Sequence, residues 1–201
     1  MITPHSLLVI ITGPPCTGKT TLGRQLAREL CLPFLSKDDI KETLFDTLGW
    51  KDVNWSRRLS TASNEILLKF CTELLESGQS AILEGTFKGL EHAGRFIELH
   101  ECTGCDLVQV QCGAQGEILM QRFLSRWESG MRHPGHLDPE LYSEIQPVLQ
   151  KGWYEPMDLP GRTYRLDATD YEAPAWQEAI IRLRSDLLER FPPNRAAAPE
   201  V

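Results

Sequence analysis

Gly13-Pro14-Pro15-Cys16-Thr17-Gly18-Lys19-Thr20 is the stretch that decides the fold. It follows the apolar run Leu7-Leu8-Val9-Ile10-Ile11 and opens a segment with helical spacing at Leu22, Leu26 and Leu30. The pattern G-x-x-x-x-G-K-[ST] at a strand-to-helix turn is a phosphate cradle. Gly13 and Gly18 permit backbone angles that residues with a Cβ resist. Successive backbone N–H groups then point inward as an anion nest, and the helix N-terminus adds partial positive charge. Lys19 is placed to reach the β- and γ-phosphates of ATP, and the Thr20 hydroxyl to sit on Mg²⁺. Gly13, Pro14, Pro15, Cys16, Thr17, Gly18, Lys19, Thr20 and Thr21 are therefore candidate nucleotide contacts. Cys16 reads as a small filler rather than a redox switch.

Outward from this loop, strand-like and helix-like segments alternate. Residues 6–12 read as a strand buried on both faces, 19–30 as a helix and 33–36 as a short strand. Residues 38–48 read as a helix opened by acidic side chains. Residues 56–77 read as a long helix with Leu59, Ile66, Leu67, Phe70 and Leu74 on one side, stopped by Gly78. Further strands are expected over 80–83, 106–112 and 163–166, and helices over 90–101, 117–128 and 175–190. Residues 138–149 form a helical region interrupted by Pro147. Such alternation predicts a parallel sheet covered on both faces. The expected fold class is α/β, a three-layer α/β/α P-loop NTPase of the nucleoside-monophosphate-kinase type. Five parallel strands and a small lid are expected, with the order 2-3-1-4-5 that a likeness to P-loop kinases implies. A single domain over 1–191 is expected, with the lid at roughly 122–138 and a flexible tail over 192–201. Within the lid, Ser129 to Asp138 is polar, contains Gly130, Pro134 and Gly135, and reads as a mobile excursion.

Composition narrows the function. The 201 residues are 41% hydrophobic, 24% charged and 8% aromatic, with 15 Gly and 13 Pro. These are globular values, which exclude collagen-like, disordered and coiled-coil classes. The 21 basic and 28 acidic residues sum to −7, against the basic footprint that extended nucleic acid requires. A local basic pocket stays compatible with that sum. The longest apolar run is too short to span a bilayer. Met1-Ile2-Thr3-Pro4-His5 has no basic n-region, so no signal peptide is expected. The six cysteines, scattered through apolar segments, read as reduced cytosolic thiols.

A phosphate cradle does not name a reaction. No N/T-K-x-D base-reading stretch of a GTPase is present, and Asp158-Leu159-Pro160-Gly161 follows polar residues rather than a strand, so it reads as a turn. The second strand ends in Ser36-Lys37-Asp38-Asp39-Ile40-Lys41. In an open parallel sheet the strand C-termini face the ligand crevice. A carboxylate there can take the proton of an attacking alcohol, which is the kinase arrangement. Asp38 is the expected base and Asp39 a substrate contact; either can instead cap the next helix. Lys41, one turn on, can orient Asp38 or touch an anionic substrate. The third strand ends at Glu84, which can hold Mg²⁺ through water, bind a substrate hydroxyl or be an ordinary loop acid. Thr86 and Lys88 line the same rim. Arg122 and Arg126 share a helix face at i,i+4 spacing, and Arg132 follows in the lid. A lid carrying Arg126 and Arg132 would exclude water and offset transferred charge, while Arg122 would touch the nucleotide.

These residues resemble the small P-loop kinases of the polynucleotide 5′-kinase type. Zeta-toxin-like, chloramphenicol-phosphotransferase-like and gluconate-kinase-like proteins share the layout. The likeness covers roughly residues 6–170. In that pattern the first Asp of an Asp-Asp-x-Arg segment is the base, which falls on Asp38 with Lys41 in place of Arg. The family's Asp-Thr-Asn is here replaced by Glu84-Gly85-Thr86-Phe87, a departure that weakens a nucleic-acid acceptor. The resemblance also implies that Asp167-Ala168-Thr169 borders the adenine.

Other signals are weaker. Cys102-Thr103-Gly104-Cys105 is a lone CxxC, for which Cys112 and His100 offer only loose partners. His133-Pro134-Gly135-His136 can contact phosphate or substrate, or be a surface loop. Trp50, Trp127 and Trp176 read as core or partly buried, while Trp55 and Trp153 can also line an acceptor pocket. Arg57-Arg58 can form a modest anion site. The expected activity is ATP-dependent, Mg²⁺-assisted phosphotransfer to a hydroxyl of a small-molecule, nucleotide or nucleic-acid-end acceptor. The competing readings are an ATP-binding regulatory module with no acceptor, and a toxin-like kinase of a nucleotide sugar. No membrane partner is expected.

Overall fold

The computed structural model describes residues 6–190. The N-terminal residues read for a leader and the tail read as flexible lie outside the described residues. Five strands alternate with the helices: β1 (Leu7–Thr12), β2 (Phe34–Ser36), β3 (Ala81–Glu84), β4 (Asp106–Gly113) and β5 (Arg162–Asp167). The helices are α1 (Lys19–Leu30), α2 (Lys37–Leu48), α3 (Val53–Glu76), α4 (Gly89–Thr103), α5 (Gly116–Glu128), α6 (Asp138–Lys151) and α7 (Pro174–Arg190). The sheet runs β2-β3-β1-β4-β5 with every pair parallel, the expected order.

The alternation of β1 makes two cores. Leu7, Val9 and Ile11 face Leu22 and Leu26 of α1, Phe123 of α5 and Leu183 of α7. Leu8 and Ile10 face Leu67 and Cys71 of α3 and Phe96 of α4. Burial of one such side chain is worth about 1.5–3 kcal/mol, so a one-residue slip that exchanged the two sets would be costly.

Several boundaries differ for local reasons. α3 begins at Val53 because the Asp52 side chain accepts a 2.9 Å hydrogen bond from the Trp55 N–H, a side-chain cap. Its buried stripe is Ser56, Leu59, Ser63, Leu67, Leu68, Cys71 and Leu75, and Phe70 faces solvent at 59% exposure. The apolar side expected for this helix was therefore rotated too far. α6 runs from Asp138 to Lys151 without the interruption expected at Pro147.

The sheet sets the site. Ile11 and Ser36 are both in register with Glu84, so the ends of β1, β2 and β3 meet at one edge. The chain passes from β1 to β2 on one side of the sheet and to β4 on the other. A ligand crevice opens where such strand orders reverse.

Candidate active site

The loop between β1 and α1 is shaped by close backbone approach. Gly13 has φ +144°, and a Cβ there would lie 2.0 Å from the Cys112 carbonyl oxygen of β4. Gly18 has φ +73°, and its Cβ would meet the Tyr171 hydroxyl at 2.7 Å. Lys19 is buried; its Nζ donates to the Pro14 carbonyl at 2.7 Å and lies 3.4 Å from Thr17 Oγ1. Pro14 and Pro15 have no N–H, so neither can donate to a phosphate, and Pro14 contributes a carbonyl that accepts from Lys19 and Thr17. Thr21 lies on the cleft rim.

Glu84, at the end of β3, is buried and accepts from Ser36 Oγ at 2.8 Å and Thr20 Oγ1 at 3.2 Å. Burial pushes its pKa up, against the pull of the Lys19 charge. The loop-acid reading fails, because Glu84 belongs to a central strand. Its carboxylate and the Thr20 hydroxyl form an oxygen donor set of the kind Mg²⁺ takes, with water completing the shell. Among the described residues no cluster of three or more His, Cys, Asp or Glu side chains is arranged around a metal position.

The two aspartates separate. Ser36, not either aspartate, caps α2, accepting from the Asp39 N–H at 3.4 Å. Asp38 opens into a cleft of about 510 Å³ that it shares with Lys19, Thr20, Glu84, Arg126 and Arg132. Burial alone would raise its pKa, but Arg132 at 3.2 Å, Lys37 at 3.6 Å and the Lys19 charge hold it well below the carboxylate range. Asp39 lies outside the cleft, bound through both oxygens to Arg24 at 2.8 and 2.9 Å. It was expected to contact substrate; one residue further along a helix is a rotation of about 100°, which carries it to another face.

The segment read as a mobile excursion is docked here. Arg132 reaches Asp38, Arg126 and Arg132 both reach Asp138, and His136 Nε2 lies 2.9 Å from Glu42. His133 stacks on Phe45 at 5.1 Å between centroids and reaches Asp46 at 3.2 Å. The Gly135 carbonyl accepts from Ser56 Oγ at 3.0 Å. Arg122 is absent from the cleft lining. It donates to the carbonyls of Ala168 and Thr169 at 2.7 and 3.0 Å and stacks on Tyr171 at 4.2 Å. It thus fixes the loop after β5, while Tyr171 covers the outer side of Gly18.

Lys41 and Lys88 line the far half of the cleft with Thr86. Lys41 is buried, with Nζ 5.2 Å from the Phe45 ring centroid. Burial and the neighbouring Lys37 charge lower its pKa to about 8. Lys88 sits over Tyr154 at 5.1 Å. The opposite wall is the apolar face of α6: Leu141, Ile145 and Val148.

The model of the AAA domain family matches residues 8–140, from β1 to the start of α6. The chain belongs to this AAA domain family. A solved structure of a candidate kinase from Chloroflexus aurantiacus is 39% identical, with a TM-score of 0.82, over 91% of this chain and 98% of that one. Adenylate kinase of Rickettsia peacockii is 29% identical over 127 residues, 60% of this chain and 58% of that protein. An uncharacterized protein of Mycobacterium tuberculosis is 29% identical over 126 residues, 59% of this chain and 25% of that protein. The chain thus spans less than two thirds of the length of these two relatives. Kti12 of Chaetomium thermophilum, solved with ADP-AlF3, shares the fold at a TM-score of 0.62 and 19% identity over 89% of this chain and 97% of that one.

Some features of this AAA domain protein were hidden in its sequence. Lys37, Asp138, His136 and Tyr154 line the cleft. Of these, Lys37 was read as a basic group near the acceptor and His136 as part of His133–His136, while Asp138 and Tyr154 were given no role. Arg57 is held by Glu144 at 2.7 Å instead of standing as an anion site. Trp55 donates to the Gly49 carbonyl at 2.9 Å outside the cleft. Trp153 lies under Arg165, in a groove beside the cleft. Cys102 is exposed and Cys105 buried, both as free thiols. No described helix is long and apolar enough to cross a membrane.

Proposed function

We propose that this protein transfers the γ-phosphoryl group of ATP to a hydroxyl of a small anionic acceptor. The observation that carries the reading is that Asp38 and Lys19 face one cleft, close enough for the Lys19 charge to act on Asp38. The N–H groups from Cys16 to Thr20 and the Lys19 ammonium hold the triphosphate. Asp38, kept ionised by Arg132 and Lys37, accepts the hydroxyl proton as the oxygen–phosphorus bond forms. The β-phosphate oxygen leaves with the bonding electron pair as ADP. In a loose transition state Asp38 matters more for aligning the hydroxyl than for removing its proton early. Arg126 and Arg132 offset charge on the transferred oxygens. Mg²⁺, when bound at Thr20 and Glu84, neutralises charge on the β- and γ-phosphates.

Charge pairing supports an anionic acceptor. Each carboxylate lining the cleft already has a partner: Asp38 with Arg132, Asp138 with Arg126, Glu144 with Arg57, and Glu84 with two hydroxyls. Lys41 and Lys88 have ring contacts but form no ion pair among the described residues. Lys41 is buried, and the pull of Asp38 and Asp138 does not offset its burial and the Lys37 charge, so a ligand anion would stabilise its ammonium. The acidic net charge argues against extended nucleic acid.

The test is an ADP-release screen over sugar acids, phosphorylated alcohols, nucleotides, 5′-hydroxyl oligonucleotides and their neutral counterparts. An anionic alcohol should stimulate release, and Asp38→Asn should abolish that stimulation with ATP affinity unchanged. ATP binding with no stimulation by any acceptor would favour a regulatory module instead.

A further inference from the structure

The segment His133–His136 adjoins Asp38 through Arg132 and has no part in the chemistry above. His136 is 5% exposed. Its Nδ1 lies 3.0 Å from an Arg132 terminal nitrogen, and its Nε2 lies 2.9 Å from Glu42 Oε1. A guanidinium only donates and a carboxylate only accepts. The ring therefore carries its proton on Nε2, accepts at Nδ1 and is neutral. This completes a chain of contacts from Asp38 through Arg132 and His136 to Glu42.

We propose that His136 is a positioning residue: its neutral ring holds the Arg132 guanidinium against Asp38, and its protonation releases that arginine. The proposal rests on the kinase reading for its effect on turnover, but its structural half stands apart from it. A proton on Nδ1 would set two N–H donors and two positive charges face to face at 3.0 Å.

The surroundings fix the sign. α2 presents Asp38, Lys41 and Glu42 to His136, and its own segment presents Arg132. α3 contributes only the Ser56 hydroxyl, to the neighbouring Gly135 carbonyl, and α6 contributes Asp138, which shares Arg132. Burial lowers the imidazole pKa below the ordinary 6.5; Glu42 opposes this and Arg132 adds to it. The neutral form therefore holds at neutral pH and is lost only in acid. Phe45 completes the seat, edge-on to His136 at 5.4 Å and stacked with His133 at 5.1 Å.

The experiment has two arms. The first follows the His136 ring nitrogens by ¹⁵N NMR against pH. The Nε2–H tautomer is expected, with a pKa that rises in Arg132→Met and falls in Glu42→Gln. An His136 titration unmoved by Arg132→Met would overturn the proposal whatever the protein catalyses. The second arm measures ADP release against pH, with the stimulating acceptor of the screen or, in its absence, with water. His136→Ala should lower kcat by about 10- to 100-fold, the usual cost of a misplaced positioning group, with the KM for ATP little changed. His136→Gln, whose amide can accept from Arg132 and donate to Glu42, should restore kcat and remove the acid limb. An acid limb that persists in His136→Gln, or a kcat that His136→Ala leaves intact, would also overturn it. ADP release absent under every condition would remove the kinase reading while the NMR arm still decides the Arg132 contact.

Discussion

The hydroxyl of Thr20 lies 3.2 Å from Oε2 of Glu84, joining the first turn of α1 to the end of β3 across 64 positions of sequence. The same oxygen takes the Ser36 hydroxyl at 2.8 Å. Glu84 is thus buried with two neutral donors and no direct cation, and burial raises its pKa. A carboxylate whose folded pKa lies above its unfolded one favours the protonated fold. It costs stability when ionised, and the fold regains that stability as pH drops through the folded pKa. Glu84→Gln should therefore raise the melting temperature of the free protein at pH 7 and narrow the difference from wild type in acid. It should also weaken the extra stabilisation given by MgATP, which acts only through the folded state. Calorimetry with and without MgATP checks both signs; a variant less stable than wild type when free would contradict the account.

Two glycines should respond oppositely to the same change. At Gly135 an added Cβ would meet the Phe45 ring at 2.7 Å, and Phe45 is a core residue at 1% exposure with no room to yield. Gly135→Ala should cost about 1–3 kcal/mol, as overpacking does. Gly94 lies inside α4 with open space where its Cβ would go. Gly94→Ala should add about 0.5–1 kcal/mol, since alanine loses less backbone freedom in a helix. Urea midpoints at unchanged slope measure both.

The thiols should separate by burial. Cys31 and Cys102 are exposed, whereas burial raises the Cys16 pKa against the pull of Arg126 and Lys19. Burial pushes Cys71 and Cys112 to about 12. The thiolate is the reactive form, so a maleimide at pH 7 should label Cys31 and Cys102 first and Cys16 slowly. Cys71 and Cys112 should react only on unfolding. Peptide mass spectrometry over time reads the order, and early labelling of Cys16 would revive a reactive role for it.

What the sequence disclosed follows the range of the forces involved. The phosphate loop is eight consecutive residues at a strand-to-helix turn, so local chemistry writes it openly. The parallel sheet followed from strand–helix alternation and apolar runs, and its order from the likeness to P-loop kinases. Asp38 was legible because a strand C-terminus faces the crevice. The partner that holds Asp39 was not, since Arg24 stands on another helix. Arg132 with Asp38, and His136 with Glu42, are each pairs 94 residues apart. A Gly/Pro-rich polar stretch reads as mobile until the Phe45 surface it covers is known. The partners of Arg122 were hidden for the same reason: its helix face was legible, but Tyr171 and the carbonyls it meets belong to the loop after β5.

Lys41 offers the most direct check on the acceptor. Its ammonium is buried beside Lys37 and has a pKa of about 8, so near that pH about half of it is the free amine. Ordinary lysines are almost fully protonated there, so an amine reagent at pH 8 should modify Lys41 ahead of exposed lysines such as Lys69, once ATP shields Lys19. An anionic acceptor should protect it and a neutral alcohol should not. Because the cation is lost as pH rises through about 8, the KM for an anionic acceptor should climb above that pH while the KM for ATP stays flat. Lys41→Met should reproduce the high KM at every pH and abolish the climb. Folding adds a sign of its own: a lysine whose folded pKa lies below the unfolded value costs stability while charged. Lys41→Met should then melt higher than wild type at pH 7 even as it binds the acceptor less tightly. A variant that lost stability and kept acceptor affinity would mean that Lys41 supports α2 rather than the acceptor.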